Sequence, residues 1–383
     1  MKYSFPKIEH IDNIRAAIEG RPEFIIAKCD GYTIVNYMVA MHDTFPPVNT
    51  GCAAIRRELR GIIFNDAGYV IARRLHKFFN VNEREETLIQ HIDFSQPHLI
   101  LEKLDGSMIT PFEVDSRIRW GTKMGLTDVA KPVEQFIAKH PTYQEFADLH
   151  MDRGQTPIFE WCSRQQRIVV DYPNDRLVLI AIRNNVSGEY KSYAQMKTYA
   201  EAYDIDIVKT YPGNAESMQH LIDDVRNQEN IEGYVLRFDD GHMIKVKGDW
   251  YVRIHKVKDA ISLEKNVIDL IVNEKIDDAK PLMLEEDRKR IEKFESEFWT
   301  GIDKTVAIYD NMFREFQVAY KDKREFAIGC MPTLHSTTKT VMFAMWNGKD
   351  ARSTVLDIVM RNIGSQTKID NVREMWQYAK WNC

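Results

Sequence analysis

The feature that most constrains this chain is a change of texture near Asp259. Before it, apolar and β-branched residues fall in short runs of strand length, at 24–28, 32–39, 60–64, 69–73, 99–104, 107–114, 157–162, 177–182, 233–238 and 242–246. Helical periodicity is confined there to 129–139, 193–203 and 215–227. Asp239-Asp240-Gly241 reads as the turn of a hairpin. After Asp259, helix-period apolar residues set among charges occupy 260–272, 285–320, 351–362 and 371–381, with 275–281 as a connector. Strands that cluster, rather than alternate with helices, predict an α+β fold on antiparallel sheets. The expected organisation is an α+β domain over 1–258 followed by a mostly α-helical domain over 259–383.

With 383 residues the chain is long enough for two or three domains, each with its own core. No apolar run is long enough to cross a bilayer, and Met1 to Lys7 lacks the apolar core of a signal peptide. The five cysteines (Cys29, Cys52, Cys162, Cys330 and Cys383) are odd in number and form no Cys-x-x-Cys pair. That spacing argues against a disulfide framework or a zinc site and fits a reducing cytoplasm. The net charge of −5 does not by itself suggest a polyanion partner. The charge is uneven, however: Arg56, Arg57, Arg60, Arg73, Arg74 and Lys77 cluster early, and Lys245, Lys247, Arg253, Lys256 and Lys258 cluster later. A basic cleft on an acidic body steers anions despite the net sign.

Four short segments carry candidate chemistry. Lys103-Leu104-Asp105-Gly106-Ser107 follows the apolar run Leu99-Ile100-Leu101, which places a lysine at a strand end before a tight turn. An amine held there can attack phosphorus or a carbonyl, and the same pattern also fits a plain hairpin with an exposed lysine. In Phe159-Glu160-Trp161, alternation puts Glu160 on the face opposite its aromatic neighbours, either for ligand binding or as an edge-strand acid. Glu232-Gly233 precedes a strand, and Lys245-Val246-Lys247 puts two ammonium groups on one face of the next. Like charges side by side favour an anion above them, although a solvated sheet face reads the same way. Upstream, Arg60-Gly61 offers a guanidinium fork at a strand start, and Lys77-Phe78-Phe79-Asn80 joins a cation to two core aromatics.

In this order the segments resemble the covalent nucleotidyltransferase superfamily of DNA ligases, RNA ligases and capping enzymes. The similarity is closest to the phage RNA ligase 1 family. Lys103-Leu104-Asp105-Gly106-Ser107 resembles its nucleophile motif, Phe159-Glu160 its third, Glu232-Gly233 its fourth and Lys245-Val246-Lys247 its fifth. Arg60-Gly61, Lys77-Phe78-Phe79-Asn80 and Asp249-Trp250-Tyr251 match that family in particular. The resemblance covers about 32–280 and implies an antiparallel-sheet adenylation domain. It further implies Lys103 as the catalytic nucleophile toward ATP. Tyr37, Arg60, Lys77, Glu160, Lys245 and Lys247 would bind ATP. Glu232, and an acidic pair at Asp277 and Asp278, would hold Mg2+ or Mn2+. Lysine is protonated at neutral pH, so its free amine would depend on cationic neighbours such as Lys245, Lys247 and Mg2+. The same cations would stabilise charge on the phosphate being transferred.

The implied partner is RNA with 5′-phosphate and 3′-hydroxyl ends, such as a nicked tRNA anticodon loop. The implied setting is a phage-infected bacterial cytoplasm, with no membrane association and no obligate protein partner. Tyr251 and Arg253, just past the fifth motif, are expected to matter more for joining than for self-adenylation. Two departures stand out: Leu104 fills the variable slot of the nucleophile motif, and the large Trp161 follows Glu160. A DNA ligase or capping enzyme would continue into a small β-barrel after the fifth motif, whereas this chain turns helical. A catalytically silent RNA-binding protein of the same fold would have had no need to keep Lys103, Glu160, Glu232, Lys245 and Lys247 together.

Overall fold

A computed structural model of the chain describes residues 4–48, 51–330 and 333–382, so Cys383 and the first three residues lie outside the described part. The other four cysteines are free. The chain forms two compact units, Met1–Val252 and Arg253–Cys383. The division falls inside a helix, a little before the boundary expected after Lys258.

The first unit holds three four-stranded sheets. In one, β1 (Phe24–Cys29) and β2 (Tyr32–Tyr37) form a hairpin, followed outward by β3 (Arg60–Phe64) and β4 (Val70–Ala72). Between β2 and β3 the chain makes helix α2 (Gly51–Glu58), and an earlier helix, α1 (Asp12–Ile18), packs against α2. The second sheet runs β10 (Arg176–Asn184), β9 (Gln155–Cys162), β7 (Ser107–Val114), β8 (Arg117–Gly121). Helices α3 (Ala130–Lys139), α4 (Thr142–Met151) and α5 (Tyr193–Ala202) cover it. Trp120, Phe146, Phe159 and Trp161 are fully buried between them. Each such side chain contributes about 1.5–3 kcal/mol of transfer free energy, which makes this layer the rigid support of the unit.

The third sheet runs β5 (Phe79–Asn80), β12 (Met243–Lys247), β11 (Gly233–Phe238), β6 (His98–Lys103), with α6 (Met218–Arg226) packed on its apolar face. The turn between β11 and β12 is the expected Asp239-Asp240-Gly241, with Gly241 at φ +91°. All strand pairs are antiparallel except β5 with β12. The α+β reading with antiparallel sheets therefore holds. The two-residue β5, β8 and helices α1, α2 and α4 went unpredicted.

The second unit is helical. Its spine is α10 (Glu285–Ala319), 35 residues and about 52 Å long. Ile291, Phe294, Phe298, Ile302, Thr305 and Tyr309 recur every three or four residues and form its buried stripe. At Gly301 any Cβ would collide with the Trp376 carbonyl, so glycine lets the C-terminal turn lie directly on the helix. Two expectations need correction here. The helix expected over 260–272 is two helices, α7 (Asp249–Ile261) and α8 (Glu264–Val272), broken at Ser262-Leu263. The helix expected over 371–381 is the end of α14 (Gln366–Val372) followed by a 3-10 turn, Arg373–Trp376. Gln377 and Tyr378 then adopt positive φ values of 55° and 62°, which no helix sustains. The buried Glu264 carboxylate takes both Arg373 guanidinium nitrogens at 2.6 Å and the Trp381 amide at 2.9 Å. A non-helical C-terminal segment is thus fixed by a bidentate ion pair. The remaining helices are α9 (Ile276–Ala279), α11 (Lys323–Gly329), α12 (Ser336–Trp346) and α13 (Ala351–Asn362). Among the described residues, no helix is long and apolar enough to cross a membrane.

Candidate active site

Three strands of the third sheet end together, and their ends define the site. Gly233, the first residue of β11, pairs with Lys103 of β6 on one side and Lys247 of β12 on the other. Glu232, one residue earlier, is 4% exposed and lies between the two lysines. Its carboxylate takes Lys103 Nζ at 2.7 Å and Lys247 Nζ at 2.9 Å. A Cβ on Gly233 would run into the Val246 carbonyl, and φ there is +142°. Only glycine lets the chain turn so closely past β12, which explains the Glu-Gly order.

After Lys103 the chain leaves the sheet through Leu104-Asp105-Gly106 and enters β7 at Ser107. Asp105 is buried and fixes this connection. Its carboxylate accepts the Val169 and Val170 amides at 2.7 and 2.8 Å and the Tyr251 hydroxyl at 2.7 Å. Its own amide donates to the Tyr172 hydroxyl at 2.9 Å. At Gly106 a Cβ would meet the Trp161 carbonyl, so β9 lies directly against the loop. The Asp-Gly pair of the motif is therefore an anchor and a close approach, in addition to a turn.

Across that approach, Glu160 projects from β9 while Phe159 and Trp161 are buried on the other face, as alternation predicted. Burial pushes the Glu160 carboxyl up to about 7, with Glu232 and Asp105 adding to the rise and Lys103 and Arg60 opposing it. Lys245 sits over the Phe78 ring, 4.7 Å from its centroid. Burial, followed by Arg60, Lys103, Lys77 and Lys247, drives its ammonium well below the ordinary lysine range. At the end of β2, Tyr37 has Lys77 Nζ and Lys123 Nζ at 5.5 and 5.4 Å from its ring centre. Burial would raise the phenol, but Arg60, Lys77 and Lys123 together lower it. Six cations (Arg60, Lys77, Lys103, Lys123, Lys245 and Lys247) thus share one electrostatic neighbourhood with the carboxylates Glu160 and Glu232 and the anchored Asp105. Such a region is completed by a polyanion.

Lys123 is the site residue that sequence reasoning missed. It lies just past β8, a strand that the sequence reading did not pick out, and no motif pointed to it. The early basic cluster, in turn, is mostly scaffold. Arg57 pairs with Glu86 at 2.5 Å, and Arg73 and Arg183 both pair with the fully buried Glu58, at 2.9 and 2.7 Å. Arg74 donates to the Gly61 and Gly121 carbonyls, and burial pulls its guanidinium down to about 9. Of that cluster, only Arg60 and Lys77 belong to the cation set. Asp277 and Asp278 lie in the other unit, exposed on α9, where Asp277 pairs with Lys280 at 2.7 Å. Arg253 is exposed on α7 and also belongs to the second unit. Among the described residues, no group of three or more His, Cys, Asp or Glu side chains is placed to hold a metal ion. A magnesium ion that takes most of its ligands from phosphate and water needs only one or two carboxylates. Glu232 and Glu160 are hard oxygen donors that fit that requirement.

The family models for RNA ligase and for the C-terminal domain of T4 RNA ligase 1 match residues 58–251 and 258–372. The chain belongs to the phage-type RNA ligase 1 family. This RNA ligase family member is 30% identical over 248 residues to a Thermovibrio ammonificans protein named "Putative RNA ligase", covering 62% of each chain. It is 24% identical over 279 residues to an Autographa californica nuclear polyhedrosis virus protein named "Putative bifunctional polynucleotide kinase/RNA ligase". The latter match covers 66% of this chain and 38% of the viral one, so the chain spans less than two thirds of either relative. Among solved structures, an archaeal ATP-dependent RNA ligase aligns with 65% of this chain and 64% of its own, at TM-score 0.43 and 13% identity. A Naegleria gruberi RNA ligase variant solved with ATP and Mn aligns with 45% of this chain and 56% of its own, at TM-score 0.39 and 18% identity. In the RNA ligase 1 family member described here, the nucleophile, third, fourth and fifth motifs all fall within the first family match, and α7 runs between the two matches.

Proposed function

We propose that the protein is an ATP-dependent RNA ligase that seals RNA 5′-phosphate and 3′-hydroxyl ends through lysyl-AMP and RNA-adenylate intermediates. One observation carries the reading: Lys103, at a strand end fixed by Asp105, shares the Glu232 carboxylate with Lys247 amid a set of six cations. In the first step the Lys103 Nζ lone pair attacks the α-phosphorus of ATP. A P–N bond forms, the α–β phosphoanhydride breaks, pyrophosphate leaves, and the amine proton passes to solvent. Next, a 5′-phosphate oxygen of RNA attacks the AMP phosphorus and Lys103 leaves, giving RNA-adenylate. Finally an RNA 3′-hydroxyl attacks the 5′-phosphate and releases AMP.

Tyr37, Arg60, Lys77, Lys245 and Lys247 are assigned to ATP, with Lys123 added from its place over Tyr37. Glu160 is assigned to ATP as well. Glu232 would hold a divalent ion, Mg2+ or Mn2+, which neutralises phosphate charge when bound. Asp277 and Asp278 are retained as candidate acids for the same ion. The family resemblance extends the proposal to RNA repair, with a nicked tRNA anticodon loop as substrate and a phage-infected bacterial cytoplasm as the setting.

The test is to supply a 5′-phosphorylated RNA oligomer and, in parallel, its DNA counterpart, with ATP and Mg2+. The proposal expects RNA-adenylate followed by circular or joined RNA, with DNA as the poorer acceptor. Preferential sealing of DNA, or no sealing with either metal, would refute it.

A further inference from the structure

At the far end of the same strands lies a second cavity that the proposed reaction does not use. It has a volume of about 1170 Å3 and is walled by the start of β6, the end of β11 with its turn, the segment leading into α5, and Phe5. This exceeds the roughly 300–1,000 Å3 that encloses one drug-sized ligand, so a short stretch of polymer suits it better than a small metabolite. Arg237 lines the cavity, is 7% exposed, and has no carboxylate partner within ion-pair distance among the described residues. It donates to the Lys191 carbonyl and lies over the Tyr190 ring, 5.2 Å from its centroid. A buried guanidinium with no carboxylate in ion-pair contact is costly unless an anion arrives to pair with it. The surrounding walls are aromatic: His98, Tyr190, Tyr193 and Phe238 all line the space.

The acidic groups here are Glu189, Asp239 and Asp240. Asp239 acts electrostatically on Arg237, Asp240 accepts the His242 amide at 3.0 Å, and Glu189 accepts the Ser187 hydroxyl at 3.3 Å. A mixed rim of this kind disfavours a bare phosphate cluster. It suits a ligand that alternates phosphate with flat rings bearing N–H donors, as single-stranded RNA does. The pairings Lys103↔Gly233 and His98↔Phe238 mark the two ends of β6 against β11. Five residues of strand separate them, about 17 Å, a span that a few nucleotides cross.

We propose that this cavity is a single-stranded RNA subsite, in which Arg237 pairs with a backbone phosphate and the aromatic walls stack on neighbouring bases. The inference deepens the ligase reading and rests on it for the identity of the polymer. Ala194, exposed on the cavity rim at the start of α5, can be enlarged without removing a side-chain hydrogen bond.

The experiment measures binding of a fluorescent 5′-phosphorylated octaribonucleotide to the full chain without ATP, across a salt series, for wild type, Ala194→Trp and Arg237→Met. Self-adenylation with labelled ATP is measured on the same preparations. The expected result is a loss of RNA affinity of about 5- to 10-fold in each variant, with the Arg237→Met salt slope smaller by about one and self-adenylation unchanged. Competition by a tetraribonucleotide but not by AMP or UMP is also expected. Wild-type RNA affinity in both variants would overturn the proposal, as would equal competition by mononucleotides, which would mark a free-nucleotide site instead. If Arg237→Met does not fold, Ala194→Trp decides alone. A wild type that binds RNA through this cavity yet takes no adenylate would count against the ligase reading and leave the subsite standing.

Discussion

Glu232 shows how the residue scale sets the chemistry. One carboxylate holds both Lys103 and Lys247, so the amine proposed to attack sits in an ion pair. Around it, burial has moved two groups in opposite senses: the Glu160 carboxyl up to about 7 and the Lys245 ammonium down. A triphosphate placed among them favours the protonated form of both. ATP added near pH 7 without metal should therefore take up protons, seen as a binding enthalpy that varies with buffer ionisation enthalpy. Net proton release would contradict the arrangement.

Tyr251 is a second residue-scale case. Its place after the fifth motif suggested a part in joining, but its hydroxyl also holds the Asp105 carboxylate beside the nucleophile loop. Tyr251→Phe removes a hydrogen bond to a buried carboxylate, worth about 1.5–3 kcal/mol. The variant should lose stability on that scale and slow self-adenylation, whereas Arg253→Ala, on an exposed surface, should slow joining alone. Wild-type labelling by Tyr251→Phe would show that the bond does not position the loop.

At the scale of elements, the site depends on how β3 begins. Glu58, the last residue of α2, is buried against Arg73 of the segment after β4 and Arg183 of β10. Arg74 ties the Gly61 carbonyl to that of Gly121. This fixes the strand start that carries Arg60 relative to the strand end that leads to Lys123. Glu58→Gln would leave two buried guanidinium groups facing each other, a change on the order of 3–5 kcal/mol. A fall of that size in urea unfolding is expected, and a change below about 1 kcal/mol would mean the network is dispensable.

The sequence could not separate these arginines from Arg60, because composition counts charge and only tertiary contact shows whether a charge is buried and paired. Lys123 was hidden because no motif includes it and the short alternation Arg117-Ile118-Arg119-Trp120 in β8, which leads to it, went unread. The strands of the site were legible because β6, β9, β11 and β12 each carry a short apolar or β-branched run. Gly106 was visible as a turn residue and Gly233 only as the start of a strand run, and the carbonyls that exclude a Cβ at each come from β9 and β12.

For the whole molecule, a net charge of −5 coexists with a site dominated by cations, which reconciles an acidic chain with the proposed polyanionic substrate. The texture change near Asp259 located the helical unit, and the α+β class followed from strands that cluster. Within the helical unit, periodicity misled where apolar residues serve a different backbone. Met375 and Trp376 are buried in the core, yet they sit in a 3-10 turn held by Glu264 and Arg373. Spacing alone reports which residues seek the core and cannot report the dihedrals by which they reach it. The placement of Arg253 in the helical unit, and of Asp277 and Asp278 on a short helix rather than in a connector, likewise required coordinates.

The central claim is that Lys103 becomes covalently adenylated. The most direct measurement incubates the full chain and its Lys103→Ala variant with Mg2+ and ATP labelled in the α-phosphate, then denatures the protein and counts retained label, with excess GTP as competitor. The account predicts acid-labile label on the wild type, none on the variant and no competition by GTP. Equal label on both chains, or none on the wild type with either Mg2+ or Mn2+, would contradict it.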